Sequence, residues 1–337
     1  MTIVIPRSEI VGFGVPRRGH VWCMTPDDPR LTAVWLRKEL LAAGENEKTL
    51  RQSLQRGLYR RPRTGAYVDG AVWDAATAEA RYAIKARAAY RQARTDVILS
   101  HASALPFNEA PLWGVDLAEV HLTRADGKTG RREAGIRQHC GRLVDGDVRE
   151  VHGFQVMSPM RNCLEISTTA SVEVALVVVN HFLHRGDFAL EELRKRYSDG
   201  MERWPHSLTT DLVLRLADPR IESVGEARTA YMFWKQRLPM PVPQYEVYDG
   251  DVLVARLDFA LPELGVWFEF DGKVKYQGSA GSNEDAATVV FREKRREDRV
   301  RELTGWRCLR ITWQDLADPV KLAARIRAFI ARTHATG

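Results

Sequence analysis

Two short segments near the C-terminus alternate between apolar and charged side chains, and they constrain the fold more than any other feature. Residues 252–260 follow the turn Asp249-Gly250, and residues 265–271 come after them, separated by a short turn. Alternation with a period of two is typical of β-strands, and Asp-Gly between such segments favours a tight hairpin. The sequence therefore predicts neighbouring strands in this part of the chain.

These predicted strands carry acidic side chains close together. Alternation places one group on a common charged face: Trp267, Glu269, Asp271 and Lys273. In the preceding strand, alternation places Asp258 on the opposite face from Leu257 and Phe259. We expect Leu257 and Phe259 to form an apolar face together with Phe268 and Phe270. Crowded carboxylates raise each other's pKa unless a cation lies among them. A hard divalent ion would remove the repulsion, so the pattern suits metal-assisted phosphodiester hydrolysis. The alternative is a solvated strand end.

Length, net charge and cysteine content limit the class of protein that this sequence can encode. The 337 residues suffice for two or three domains, and a net charge of +6 favours a polyanionic partner. The four cysteines form no CxxC pair, which fits a reducing cytoplasm. The N-terminus has no signal-peptide pattern, and the longest apolar run is too short to span a bilayer. We therefore expect a cytoplasmic protein with no membrane partner.

The N-terminal third predicts a nucleic-acid-binding unit. Residues 1–30 are rich in Pro, Gly and Arg and are expected to form an arm. Over residues 31–95, two helices followed by a short β-ribbon at 59–68 match the outline of a winged helix-turn-helix. Five arginines with no acid between them are candidate phosphate contacts: Arg51, Arg56, Arg60, Arg61 and Arg63. The alternative is a solvated basic face. A second basic helix, at 75–94, is expected to serve packing as much as binding.

The middle region, residues 96–207, predicts a mixed α/β domain. It has a strand at 119–124, a helix starting at Ser158-Pro159 and helices at 172–183 and 188–197, with a domain boundary near 210–218. Its histidines at positions 101, 121 and 139 follow no metal-ligand spacing, so we expect them to be structural. The order of a basic winged helix and the segments SHASAL, VHLTR and SPMRNCLEIS resembles the AbiEi-type antitoxins over roughly residues 30–195.

The last domain, residues 215–337, predicts the element order α-β-β-β-α-β-α. The expected elements are a helix at 222–236, three strands, a salt-bridged helix at 285–303, a strand at 307–313 and a helix capped by Asp315. This order resembles the PD-(D/E)XK nuclease superfamily, and its very-short-patch-repair-like endonucleases in particular. Three segments carry the resemblance: Asp258-Phe259, Glu269-Phe270-Asp271-Gly272, and GWRCLRITW at 305–313.

The resemblance implies a restriction-endonuclease-like fold and specific roles for the acidic residues. Asp258 matches the first metal-binding carboxylate, and Asp271 with Lys273 matches the acid-x-Lys pair. Glu269 competes with Asp271 for the ligand role, and the choice between them stays open. Glu226 matches an acid on the first helix, although a solvated helix charge is the alternative. The cofactor implied is Mg²⁺ or Mn²⁺.

One position departs from the pattern of these relatives. They often carry a histidine shortly after the Asp-Gly, whereas this chain has Lys273, Lys275 and Tyr276. The general base is therefore not identified by the resemblance. Lys275 is instead a candidate contact to nucleic acid.

Taken together, these features predict a metal-dependent DNA endonuclease that a basic winged helix brings to its target, in phage defence or DNA repair. The alternative is an AbiEi-like antitoxin and transcriptional repressor whose nuclease-like domain is not catalytic, and RNA remains a possible substrate. Expected partners are DNA, a second copy in a homodimer, and a cognate toxin or other defence protein.

Overall fold

The computed structural model describes residues 28–201, 204, 207–272 and 286–334, with the backbone alone for Pro29, residues 286–293 and His334. Over these ranges the chain is a mixed α/β protein with three β-sheets, which confirms the predicted α/β class. Lys273, Lys275 and nearly all of the predicted arm lie outside the described residues. None of the described helices is both long enough and apolar enough to cross a lipid bilayer.

The N-terminal unit has the predicted order of helix, helix and β-ribbon. Its helices are α1 (Arg37–Ala42), α2 (Glu47–Gln55), α3 (Gly70–Ala75) and α4 (Ala78–Gln92). Its strands are β1 (Trp35–Leu36), β2 (Tyr59–Arg63) and β3 (Ala66–Asp69), which form a sheet in the order β1-β3-β2. Asn46 begins α2 by accepting hydrogen bonds from the backbone N–H groups of Lys48 and Thr49, both at 3.0 Å.

A close backbone contact fixes the entry and exit of the ribbon. A Cβ atom on Gly70 would lie 1.8 Å from the carbonyl oxygen of Gly57, so only glycine fits at position 70. Gly57 itself has a φ of +74° at the end of α2, a conformation that glycine adopts without strain. Behind the ribbon, Ile84 and Ala88 of α4 pack on Ala66 and Val68 of β3. Helix α4 is therefore mainly a packing element.

The middle unit is a six-stranded mixed sheet followed by four helices. Its strands are β4 (Val97–Leu99), β5 (Val120–Arg124), β6 (Arg132–Glu133), β7 (Ile136–His139), β8 (Val148–Val151) and β9 (Phe154–Met157). Their order is β6-β7-β5-β4-β9-β8, with β5 parallel to β7 and β4 parallel to β9. The helices are α5 (Pro159–Thr169), α6 (Val172–Arg185), α7 (Leu190–Ser198) and α8 (Ser207–Leu216).

Helix α8 occupies most of the predicted boundary at 210–218. Its residues Val213 and Leu214 are buried in the same cluster as Leu176 and Phe182 of α6. The chain therefore leaves the middle unit only after Leu216.

The C-terminal unit has the predicted order α-β-β-β-α-β, and its last helical segment is divided in two. The elements are α9 (Val224–Lys235), β10 (Val242–Asp249), β11 (Val252–Leu261), β12 (Val266–Asp271), α10 (Ala286–Thr304), β13 (Arg307–Thr312), α11 (Trp313–Ala317) and α12 (Pro319–His334). The sheet order is β10-β11-β12-β13. Strands β10 to β12 are antiparallel and β13 runs parallel to β12, which requires the crossover through α10.

The start of the last helical segment differs from the prediction. Trp313 begins α11 instead of ending the strand, and Thr312 is the residue that caps this helix, accepting from the N–H of Asp315 at 3.3 Å. Asp315 returns the bond, accepting from the N–H of Thr312 at 2.9 Å, so the two residues form a capping box. The helical segment is interrupted at Asp318. A new helix begins at Pro319, because proline is well suited to the first turn of a helix.

The prediction that Leu257 and Phe259 share one apolar face is wrong. Leu257 packs with Trp267 and Val300, whereas Phe259 packs with Phe268 and the C-terminal helices. The pairing of β10 with β11 places Gln244 opposite Asp258, and Gln244 has a φ of +51°. Strict alternation is therefore interrupted at Asp258.

The middle and C-terminal units share a core. Val177 of α6 is buried in the cluster that contains Ile221, Phe233 and Phe268. Beside it, the guanidinium of Arg228 on α9 donates to Glu173 of α6 at 2.8 Å. Helix α6 therefore serves both units, and α9 is held at a fixed position relative to the middle sheet.

Candidate functional site

Asp258 lies on β11 in a half-buried position. Its Oδ2 accepts a hydrogen bond from the backbone N–H of Phe270 on β12 at 2.8 Å. The pKa of Asp258 is raised to about 6, mainly by burial and also by the negative charges of Glu226 and Glu222, while the Phe270 N–H and Arg296 act in the opposite direction. A carboxyl group with such a pKa is mostly ionised at pH 7 but keeps its proton in a minor fraction of molecules, and a cation bound beside it would favour its charged form.

Glu226, on the first turn of α9, is buried beside this group. Its Oε1 accepts from the hydroxyl of Ser223 at 2.7 Å, and its Oε2 accepts from the side chain of Gln244 at 3.0 Å. Gln244 is the residue opposite Asp258 in the neighbouring strand. The alternative of a solvated helix charge is therefore excluded for Glu226, which is held in place from two elements.

Close packing brings α9 to the end of β12. A Cβ atom on Gly225 would lie 1.9 Å from a ring carbon of Phe270, so the absence of a side chain at position 225 allows this contact. The Phe270 ring also meets the Trp313 ring edge-on, with centroids 5.0 Å apart. The backbone N–H of Phe270 also donates to Asp258. The packing of Gly225 on Phe270 therefore places Glu226, the next residue of α9, near Asp258.

Glu269 has a different environment. Both of its carboxylate oxygens accept from Arg296 of α10, at 3.0 and 2.9 Å. Asp271 lies half-buried at the end of β12, where it is paired with Thr312 of the neighbouring strand β13. Among the described residues, Asp258, Glu269, Asp271 and Glu226 do not converge within 4.8 Å as a group of three ligand atoms.

Helix α10 joins the sheet through ion pairs, as predicted for its charged sequence. Arg301 pairs with Glu297 one turn away at 2.9 Å, and Arg310 of β13 pairs with the same Glu297 at 3.1 Å. Arg296 therefore belongs to a row of arginines with carboxylate partners. Arg296 reaches Glu269 because α10 crosses the sheet at this position.

The predicted phosphate contacts in the N-terminal unit fall into two groups. Arg60 forms a bidentate pair with Asp74 at 2.9 and 2.6 Å, and Arg63 donates to Gln92 at 3.3 Å. These two side chains support the ribbon. The other three candidates are exposed: Arg51, Arg56 and Arg61. They remain candidate phosphate contacts.

A second site comes from the middle unit, where the sequence predicts only structural residues. His101, His121 and His139 each offer a ligand nitrogen, and these three atoms lie within 4.8 Å of one another. The Nδ1 of His121 is 3.0 Å from the Nε2 of His139, and the rings of His101 and His139 stack with centroids 3.7 Å apart. Spacing along the chain gives no sign of this cluster, because strand pairing brings His121 and His139 together and helix α5 holds His101 beside them.

Burial keeps these histidines neutral. It lowers the pKa of His121 to about 4 and of His139 to about 3, and it also lowers the pKa of the fully buried His101. Neighbouring charge acts in the same direction, since Arg137 lowers the pKa of all three. At neutral pH the three imidazoles are therefore uncharged, which is the form that binds a metal ion.

The backbone of His101 is held by helix α5. Its N–H donates to Glu165 at 2.9 Å, and its carbonyl accepts from the side-chain amide of Asn162 at 2.8 Å. These bonds keep His101 at a φ of +50°, a conformation that residues other than glycine rarely adopt. The position of the imidazole is thus set by buried polar groups of the neighbouring helix.

A cavity of about 500 Å³ opens beside the histidines. Its walls include His101, His139, Thr123, Arg161 and Trp204. Arg161 is buried and bonded to Asp147 at 3.0 Å and to Glu165 at 3.1 Å, and its guanidinium lies 4.5 Å from the centre of the Trp204 ring. The cavity therefore has a rigid, charged wall and enough room for a small ligand.

Comparisons with known proteins give relatives without a described activity. No protein-family model matches the chain. The chain is similar to two proteins of Mycobacterium tuberculosis, "Uncharacterized protein Rv2248" and "Uncharacterized protein MT2308", each 26% identical over 252 residues. The match covers 73% of this chain and 88% of each relative.

Proposed function

We propose that the chain is a metal-dependent DNA endonuclease with its site at Asp258. The observation that carries the proposal is a half-buried carboxyl group whose pKa is raised to about 6, next to a second buried carboxylate, Glu226. Two acids without a cation between them destabilise a fold, so their presence side by side argues for a ligand of opposite charge. Their oxygen-only donor set fits Mg²⁺ or Mn²⁺.

The proposal assigns the ion to Asp258 and Asp271 and leaves Glu269 with Arg296. When bound, the ion would lower the pKa of a water and neutralise charge on the scissile phosphate. Glu226 would act by holding Gln244 and the first turn of α9 beside Asp258. Arg51, Arg56 and Arg61 would contact phosphates, which positions DNA without selecting a sequence.

The experiment compares cleavage by the full chain and two variants. Plasmid, linear and single-stranded DNA are incubated with Mg²⁺ or Mn²⁺, with EDTA as the blank. Asp258→Asn should abolish metal-dependent cleavage and leave the gel shift of DNA intact. Asp249→Asn is the matched control, because Asp249 is an exposed carboxylate at the far end of the same sheet. Cleavage by Asp258→Asn at the rate of the unmodified protein would exclude the site.

A regulator without catalysis is the second candidate, and the pairing of Glu269 with Arg296 favours it. A carboxylate already neutralised by a guanidinium contributes less to an ion site, as expected of a nuclease-like unit that binds a partner instead. In this case the chain would be an antitoxin-like repressor. A gel shift on the DNA upstream of its own gene, together with no cleavage in any metal buffer, would support this candidate over the first.

A further inference from the structure

We propose that His101, His121 and His139 form a binding site for one divalent transition-metal ion, with Zn²⁺ as the best fit. The proposal does not depend on the nuclease assignment, because it uses other residues in another unit. Three imidazole nitrogens within 4.8 Å of one another are the donor set that Zn²⁺ and related borderline ions prefer.

One nitrogen–nitrogen distance agrees with tetrahedral coordination, whereas the stacked rings of His101 and His139 must turn before both can direct a nitrogen at the same ion. Zinc binds imidazole nitrogen at about 2.0–2.1 Å, so two nitrogens of a tetrahedral site lie roughly 3.3 Å apart. The Nδ1 of His121 and the Nε2 of His139 are 3.0 Å apart, within a few tenths of an ångström of that value. In the ion-free protein the same pair can share a hydrogen bond, and metal binding would replace it.

The groups around His101 leave its other nitrogen for the ion. The Nδ1 of His101 lies 3.1 Å from the hydroxyl of Ser100 and 3.5 Å from the carboxylate of Glu165. A carboxylate on the far nitrogen of a ligand histidine orients the ring and increases its basicity. Nε2 would then be the nitrogen of His101 that binds the ion. Glu165, which is buried, also balances part of the charge of the ion.

His101 and His139 line the cavity, so a fourth position on the ion would open towards it. Three protein ligands with an open position are typical of zinc sites that bind water or a substrate. Thr123 lines this cavity, and its hydroxyl is buried without a hydrogen-bond partner among the described residues. Arg137 and Arg161 also lie on the wall. A water or hydroxide on the ion would give Thr123 its partner, and the arginines favour an anionic ligand.

The test measures metal binding by the full chain after removal of metal with a chelator. Equilibrium dialysis against Zn²⁺ gives stoichiometry and affinity, and Co²⁺ gives the visible absorption of a tetrahedral site. The variants are His121→Gln and His139→Gln, which keep a polar side chain. His184→Gln is the control, since His184 is exposed and lies outside the cluster.

We expect one Zn²⁺ per chain for the unmodified protein and for His184→Gln. Each cluster variant should lose more than about tenfold in affinity, since even partners of the ligands contribute that much. Equal affinity in the cluster variants, or no Zn²⁺ bound by the unmodified protein, would overturn the proposal. If a variant fails to fold, imidazole ¹⁵N shifts of the unmodified protein decide the question. Zn²⁺ must then move the signals of the three cluster histidines and not that of His184.

Discussion

Replacing Asp258 with asparagine tests the central electrostatic argument. The amide has the same shape and can still accept the hydrogen bond from Phe270, but it never carries a charge. The pKa of Asp258 rises from 3.8 to about 6 on folding, chiefly because of burial. The folded chain therefore holds this proton more tightly than the unfolded chain does, and the charge opposes folding at neutral pH.

The size and pH range of the effect follow from these two values. The proton stabilises the folded state fully below the unfolded pKa of 3.8, and this contribution is lost as the pH rises through about 6. Each pKa unit corresponds to about 1.36 kcal/mol, so about two units give up to about 3 kcal/mol. Asp258→Asn should therefore be more stable than the unmodified protein at pH 8, by up to this amount, and about equal to it near pH 4.

The assay is urea unfolding of both proteins with EDTA at several pH values between 4 and 8. Glu226→Gln is a second informative variant, because it keeps Asp258 and removes a neighbouring negative charge. The pKa of Asp258 should then fall, and the loss of stability with rising pH should occur at lower pH. Added Mg²⁺ should stabilise the unmodified protein at pH 8 and leave Asp258→Asn unchanged. At a concentration a hundred times the Kd, the gain would be about 2.7 kcal/mol.

The reasoning would be refuted by a difference between the two proteins that does not vary with pH. A lower stability of Asp258→Asn at pH 8 would have the same meaning. Either result would indicate that the carboxylate is already balanced within the fold, and the argument for a cation at this position would fail.

Four further predictions concern other residues of the chain. Gly225→Ala should destabilise the protein by up to about 2 kcal/mol in urea unfolding, because the clash with Phe270 costs roughly 1–3 kcal/mol and is offset by about 1 kcal/mol of helix propensity. Asp147→Asn should cost about 3–5 kcal/mol in the same assay, since Asp147 is buried and two arginines share its carboxylate. Arg51→Ala should weaken DNA binding and reduce its salt dependence in a fluorescence titration, whereas Arg60→Ala should lower stability by no more than about 1 kcal/mol, through its half-exposed pair with an aspartate.

Local patterns in the sequence predict most of the element order. Period-two alternation and the Asp249-Gly250 turn identify β10 and β11, and Ser158-Pro159 marks the start of α5. These signals depend on neighbouring residues alone. The sequence places the cap of α11 at Asp315 instead of Thr312, because threonine and aspartate are both good caps and only the bonds distinguish their positions.

Long-range contacts cannot be predicted in this way. The histidines meet because β5 and β7 are parallel neighbours, with Thr123 opposite His139, and because α5 holds His101 beside them. The partner of Glu269 depends on how α10 crosses the sheet. The interruption of alternation at Asp258 likewise depends on Gln244, a residue of another strand.

The position of Val177 has a practical consequence for experiments on fragments. The last third of the chain, expressed alone, would lack helix α6, and the apolar surface that Val177 covers on Ile221 and Phe233 would meet water. Such a piece is expected to self-associate, and its inactivity would say little about catalysis. A fusion of the last third of the chain to another protein would have to include helix α6.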